Sequence, residues 1–283
     1  MAGVSMKSIK LRIKSMESTK QITKAMEMVA ASRMRKAQER VLTCRPYFET
    51  LYRTLRTIAA NTEDFESVYL QRREVKKTCY IVIAGDRGLA GGYNSNILKM
   101  VWADMEGKDV CVIPIGKKAV EFFRQRGIEI LTESYAEAAD INVADSFTMS
   151  KLVAGGFADG SFDEVKIAYT NFISILSQTP AQMTLLPLEE DPDIEIPETN
   201  CLTLYEPDSA SVFASIIPEY LGGLIYGALC ESVASELGAR RTAMDAATKN
   251  AEEMISDLNL KYNRARQGAI TQEITEIVAG SEN

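Results

Sequence analysis

The stretch ASELGARRTAMDAATKNAEEMISDLNLKYNRARQGAITQEITEIV, residues 234–278, decides how the rest of the chain is read. Leu237, Met244, Ala251, Leu258 and Ala265 recur every seven residues, and Ile255, Tyr262 and Ala269 follow three of them by four places. That spacing gives the narrow seam of a coiled coil, not the broad apolar face of a core helix. No proline follows Pro218, and the predicted helix runs from Asp208 to Asn283. At 1.5 Å per residue it is roughly 100 Å long. Such a helix owes its stability to whatever its seam packs against, so it needs a partner.

The other end of the chain supplies one. Ile9, Met16, Thr23, Ala30 and Ala37 repeat with the same period, and Ile13, Met34 and Val41 fill the companion row. Charge agrees: residues 1–45 carry eleven Lys or Arg against three Glu, whereas residues 208–283 carry six against eleven Asp or Glu. Exposed ion pairs contribute little energy each, but opposite signs along two helices favour their pairing. The fold class expected is therefore α/β: a long antiparallel coiled coil of the N- and C-terminal helices with an inserted Rossmann-like α/β domain. The boundaries are 1–60 for the N-terminal helix, 76–205 for the Rossmann-like α/β domain and 208–283 for the C-terminal helix that forms the coiled coil with residues 1–60.

Within the first helix AMEMVAAS, residues 25–32, is apolar in nearly every direction, as in a helix enclosed by other protein or by its own domain. Pro46 is expected to kink or interrupt that helix, with Leu51, Leu55 and Ile58 restoring an apolar face before the polar residues 61–64. From Lys76 the texture changes. CYIVIA, residues 79–84, is a short continuous apolar run typical of a buried parallel strand. After the loop GDRGLAGGYN, Asn94 is placed to cap a helix over 95–105. Residues 110–115 read as a strand, 117–125 as a helix and 128–131 as a short strand. Closing strands are expected at 165–170, 172–177 and 183–188. This alternation predicts a mostly parallel sheet. Gly155, Gly156 and Gly160 read as loop residues, and EEDPDIEIPE, residues 189–198, as a solvated connection.

Gly85, Gly88, Gly91 and Gly92 lie between strand and helix, where glycines in nucleotide-binding folds admit phosphate to the backbone. The spacing is not GxGxxG, however. Around Gly116 and Lys117, Cys111 stands where a phosphate loop needs its first glycine and Lys118 where it needs a hydroxyl. A structural turn is the favoured reading of the glycine loop. Carboxylates such as Glu252 with Glu253, or Glu273 with Glu276, read as polar helix faces.

Composition narrows the function further. There is no histidine, which removes His-based triads, Cys–His pairs and most zinc sites. The five cysteines, 44, 79, 111, 201 and 230, form no CxxC and read as small buried side chains in a reducing compartment. A net charge of −7 argues against general nucleic-acid binding. No apolar run reaches transmembrane length and the N-terminus lacks a signal-peptide core, so any membrane role is expected to be peripheral. Neither a cofactor, a metal nor a catalytic constellation is expected.

Three blocks carry a resemblance. IKLRIKSMESTKQITKAMEMVAASRMRKAQ (9–38), GDRGLAGGYN (85–94), and ASELGARRTAM (234–244) with NLKYNRARQGAITQEITEIVAGS (259–281) resemble, in this order, the gamma subunit of F-type ATP synthases. The resemblance implies a central rotor shaft turning within a ring of alpha and beta subunits, coupling ion-driven rotation of the membrane ring to ATP synthesis or hydrolysis. It implies an α/β domain near the membrane that meets the epsilon subunit and the c-ring. Membrane association would come only through the complex, on the cytoplasmic face of a bacterial plasma membrane. The resemblance places Met26, Arg266, Gln267, Thr271 and Glu273 in contact with the catalytic ring. Arg45, Tyr47, Tyr205 and Glu206 fall at the foot facing the membrane ring and epsilon. The residues themselves leave plainer readings open: Met26 as seam packing, Arg266 as a solvated charge and Tyr205 as closing the sheet. Arg241, Ala90, Gly238 and Gly268 depart from common family residues. The two glycines are expected to be soft points in the long helix, each costing about 1 kcal/mol relative to Ala. The competing function is a nucleotide-binding α/β enzyme that uses the Gly85–Gly92 loop.

Overall fold

The computed structural model describes residues 6–60, 67–138, 141–188 and 205–281. The chain forms two compact units, one from Met1–Ala31 with Arg240–Asn283 and the other from Ser32–Ala239. Two long helices contribute to both: α1 (Met6–Ala60) and α5 (Ser209–Ser281). In sequence between them come β1 (Lys77–Ile83), α2 (Tyr93–Met105), β2 (Asp109–Ile115), α3 (Lys117–Gln125), β3 (Glu129–Ile130), α4 (Val143–Ala158), β4 (Glu164–Phe172) and β5 (Gln178–Leu186).

In the larger unit the strands lie in the order β3-β2-β1-β4-β5, all parallel except the β5 edge. The apolar run of β1 is continuous because both faces of its strand are covered. Cys79, Ile81 and Ile83 face one core with Phe157 of α4 and Phe213, Ile217, Leu221 and Ile225 of α5. Tyr80, Val82 and Ala84 face the other with Ile97 and Val101 of α2 and Phe123 of α3. The first half of α5 thus belongs to the core of the α/β unit. An 18-residue window of α5 has the length and apolarity of a membrane span, yet half of it is buried within the chain. Its packing on the sheet accounts for that composition.

A polar clasp fixes α5 to the sheet. Thr170 lies on β4 two residues beyond Ala168, its last position paired with β1, so the backbone groups on that side find no strand partner. The Thr170 N–H donates instead to Ser232 Oγ at 3.1 Å, and Ser235 Oγ donates to the Thr170 carbonyl at 3.0 Å. Both serines are fully buried, so α5 replaces water for a backbone segment whose polar groups must be satisfied.

The smaller unit pairs residues 6–31 with residues 240–281. Thr23 and Thr248 share a buried hydrogen bond of 2.7 Å, and Lys20 meets Glu252 at 2.9 Å. Three residues back on α1 correspond to four forward on α5, so the helices run antiparallel. Ile9, Thr23 and Ala30 are buried against the side that carries Met244, Thr248 and Ala251. The Thr248 hydroxyl donates to the Met244 carbonyl at 2.8 Å and is left to accept from Thr23.

Several expectations are corrected. α1 runs through Pro46 without a break, whereas α5 runs through Pro218 as the helix predicted over 208–283 does. Tyr52, Leu55 and Ile58 after the first proline, and Phe213 and Ile217 before the second, are buried, and that packing holds the helices together across the lost bond. Asn94 does not cap α2, whose N-cap is Gly92; its amide serves the glycine loop. Three closing strands are two, with 173–177 forming the turn between them. Gly155 and Gly156 lie inside α4, where Phe162 occupies the place of a Gly156 side chain. That helix starts at a capping box of Asn142 and Asp145. Seam position Ala269 is exposed. Residues 61–64 and 189–198, with Cys201, lie outside the described residues, as do the side chains of Val41, Cys44 and Arg45.

Two substitutions test these contacts. Ser235→Ala leaves the buried Thr170 carbonyl without its partner and should lower unfolding stability by about 1–3 kcal/mol, read as a lower urea midpoint with the slope unchanged. The glycines of α5 should diverge. A side chain at Gly268 meets open space, so Gly268→Ala should realise the gain of about 1 kcal/mol for a helix interior. A Cβ at Gly238 would lie 3.2 Å from Gln178 Nε2, whose amide is already held by the Ser174 and Ile175 carbonyls at 2.9 and 2.6 Å. Gly238→Ala should therefore gain less than Gly268→Ala in thermal melts, and an equal gain would remove the close-packing account of Gly238.

Candidate functional site

The free end of α5 presents one face. Extending the Thr23–Thr248 register, Met6 at the start of α1 stands opposite a point near Arg266, and every described side chain from Arg266 to Val278 is exposed. At about 100° per residue, Ile270, Ile274, Ile277 and Val278 fall in one stripe. Arg266 and Glu273 border it on one side, Gln267 and Thr271 on the other. The four apolar residues are 47–67% exposed, an apolar ridge on an otherwise solvated helix. The sequence reading picked the polar borders and missed this ridge. Its signal was the spacing i, i+4, i+7, i+8, hidden by attention to the seam that ends at Ala265 and Ala269.

The local bonds here are those of a regular helix. Thr271 Oγ1 donates to the Gln267 carbonyl at 2.9 Å, Thr275 Oγ1 to that of Thr271 at 2.8 Å, and Gln272 to Glu276 at 2.9 Å. The guanidinium of Arg266 and the carboxylate of Glu273 are thus carried outward on a scaffold whose backbone is satisfied. In α1, Met26 is half-buried, while Ile22, Met28 and Val29 are exposed. AMEMVAAS is therefore not enclosed by its own unit. Of the expected foot residues, Tyr47 is exposed on α1 and Glu206 is exposed just before α5. Tyr205 is half-buried and packs on the core shared by β1, α4 and α5.

The glycine loop is occupied by the chain itself. In an open α/β sheet ligands enter beyond the carboxyl ends of the strands where the strand order reverses, here between β1 and β4. At that place Ser232 and Ser235 hold Thr170, and a Cβ on Gly85 would lie 2.9 Å from the Glu236 carboxylate. The Gly85 N–H, a natural phosphate donor, already donates to Asn94 Oδ1 at 2.8 Å. Asp86 Oδ1 accepts from the N–H groups of Lys117 and Ala138 at 3.3 and 2.9 Å, so a carboxylate sits where an anion would use the start of α3. Gly116, at φ +91°, lets the two loops touch, since a Cβ there would fall 2.1 Å from the Ala84 carbonyl oxygen.

A second cluster has the ingredients of acid–base chemistry. Tyr80 donates to Asp104 at 2.5 Å, Gln182 donates to it at 2.9 Å, and Lys108 pairs with it at 2.9 Å. Burial pushes the Asp104 carboxyl up, but the hydrogen bonds from Tyr80, Gln182 and Lys108 and the Lys166 charge outweigh it and hold the group well below the usual range. Burial, and then the bond to Asp104, push the Tyr80 phenol up. One group stays ionised and the other protonated near neutrality, which suits a tie between sheet and α2 and not proton transfer.

A family model described as ATP synthase matches residues 5–283. The ATP synthase gamma chain of Ruminococcus albus is 45% identical over 98% of both chains. The chain belongs to the ATP synthase gamma-chain family. A gamma chain of Acetobacterium woodii described as sodium ion specific is 42% identical over 97% of both chains. Among solved structures, a chain of the Euglena gracilis mitochondrial ATP synthase matches with a TM-score of 0.66 at 18% identity, over 97% of this chain and 92% of that one. A chain of the Tetrahymena thermophila central stalk and c-ring matches at 0.61 and 22% identity, over 80% and 99%. These likenesses bear out the coiled coil with its α/β domain. As a gamma chain, the protein is the central rotor shaft of an F-type ATP synthase.

The filled crevice makes a direct prediction for this gamma chain. Calorimetric titration of the isolated chain with ATP and magnesium should give no saturable heat. Micromolar binding lost on Gly85→Leu would restore the nucleotide-enzyme reading.

Proposed function

We propose that this gamma chain is a non-catalytic shaft whose free α5 end turns within the alpha and beta subunits. The exposed apolar ridge of Ile270, Ile274, Ile277 and Val278 is the observation that carries the reading. An apolar stripe of that size on a soluble helix marks a protein contact, and its polar borders give that contact direction. Arg266, Gln267, Thr271 and Glu273 are the border residues that follow the steps of the catalytic ring. Met26 on α1, flanked by exposed Met28 and Val29, is a second contact with it. A shaft needs slip as well as grip, and a helix face with no deep pocket and few buried charges offers both.

At the other end, Arg45, Tyr47, Tyr205 and Glu206 form the foot that meets the epsilon subunit and the membrane c-ring. The chain then sits at the cytoplasmic face of a bacterial plasma membrane, held there by the complex and not by a span of its own. Residues 1–60, 76–205 and 208–283 serve as shaft helix, α/β foot and shaft helix. No cofactor, metal or nucleic acid enters this role. The nucleotide-binding alternative loses support because α5, Asn94 and Asp86 fill the places a nucleotide phosphate would take.

The reading is tested in a reconstituted complex. Arg266→Ala with Gln267→Ala should cut assembly or coupled turnover several-fold while leaving the circular dichroism of the free chain unchanged, because Ala is the better helix former. Ile274→Asp with Ile277→Asp should do more, by placing charge on the ridge. Full assembly and turnover in both variants would reduce the free end to a solvated tail.

A further inference from the structure

Cys79 and Cys111 are direct partners across the parallel strands β1 and β2, and both are fully buried on the same face of the sheet. Neighbouring strands lie about 4.8 Å apart, and disulfides span Cα separations of about 4.4–6.8 Å, so the register alone brings this pair within bridging range. Both are free thiols in this structure. Lys77, two residues before Cys79, pairs at 2.6 Å with Glu129, the β3 partner of Cys111. That ion pair crosses β2 at the level of Cys111 with its side chains 27% and 54% exposed, so the dithiol lies beneath a solvent-contacting cover.

We propose that Cys79 and Cys111 form a reversible dithiol switch in the sheet, converted to an intrachain disulfide by hydrogen peroxide. Cys111 is the attacking sulfur. The Cys111 thiol donates to the Thr78 carbonyl at 4.0 Å, the adjoining Cys79 thiol lowers its pKa, the Lys77 ammonium lowers it further against the effect of burial, and the Cys111 neighbour pushes Cys79 up. The Cys111 thiolate attacks one peroxide oxygen; an S–O bond forms, the O–O bond breaks, and the departing hydroxide takes a proton to become water. The Cys79 sulfur then attacks the Cys111 sulfenic acid. The S–S bond forms, the S–O bond breaks, and the hydroxyl leaves as a second water with the Cys79 proton. Two thiols are oxidised and one peroxide is reduced. A dithiol reductant attacks the same bridge in the reverse sense and returns both thiols, which makes the pair a switch and not a permanent staple.

The test uses the reduced full-length chain, oxidised with peroxide in native buffer, alkylated in denaturant and mapped by mass spectrometry. The expected product joins the Cys79 and Cys111 peptides, lighter by two hydrogens, and dithiothreitol restores both. In Cys79→Ser the sulfenic acid has no resolving thiol, so dimedone labelling of Cys111 should exceed that of the wild-type chain tenfold or more. Recovery of both cysteines as separate alkylated or over-oxidised peptides from the wild-type chain would overturn the proposal. So would a Cys79–Cys111 link that forms no faster in the folded chain than in urea, since the register would then contribute nothing.

Discussion

The docking of α5 on the open end of the sheet is the contact on which the rest of the molecule depends. Thr170 lies on β4 beyond its last paired position with β1, at Ala168 opposite Val82, and its backbone needs a donor and an acceptor. Ser232 and Ser235, one turn apart, supply both. Around them Phe213, Ile217, Leu221 and Ile225 bury a face of α5 that would otherwise be as apolar as a membrane span. A single buried hydrogen bond contributes only about 1 kcal/mol net, whereas leaving its partner unsatisfied costs more. The clasp therefore acts chiefly on specificity: it fixes which turn of α5 meets the sheet, and apolar packing supplies the bulk of the energy.

The same clasp decides what the α/β unit cannot do. A doubly wound sheet offers its ligand crevice where α5 now runs, and the glycine loop beside it is tied by Asn94 and Asp86 to its own backbone. Glu236 adds a negative charge at the point where phosphate would approach Gly85. A fold that elsewhere holds nucleotides here holds a helix.

The coil is lightly built. Its seam is filled by alanines, a methionine, an isoleucine and one pair of threonines whose hydroxyls satisfy each other and a carbonyl. The Lys20–Glu252 pair is about half exposed on each side and contributes little. Such a seam specifies register through the buried polar pair more than it adds stability. It leaves Leu11, Ile22, Met28 and Val29 on α1 facing outward, available to a surrounding partner.

The sequence by itself determined the elements governed by local period and covalent geometry. The seven-residue repeat announced both long helices, and the apolar run at 79–84 announced the central strand, because seam and strand side chains must recur at the spacing of their backbone. The border residues at the α5 end were legible through family resemblance. Tertiary structure alone decided that Pro46 would not break its helix, since packed neighbours offset a lost hydrogen bond that no local rule can weigh. It also decided that Asn94 serves a loop and not a cap, that α4 absorbs two glycines, and that Gly238 touches the β4–β5 hairpin. The Ile270 to Val278 ridge needed the structure, because only the burial of each side chain shows which face of α5 stays exposed. The filling of the glycine loop by residues 94, 86 and 232–236 was invisible for the same reason. Contacts between distant segments are set by how whole elements pack, and local sequence carries no record of that distance.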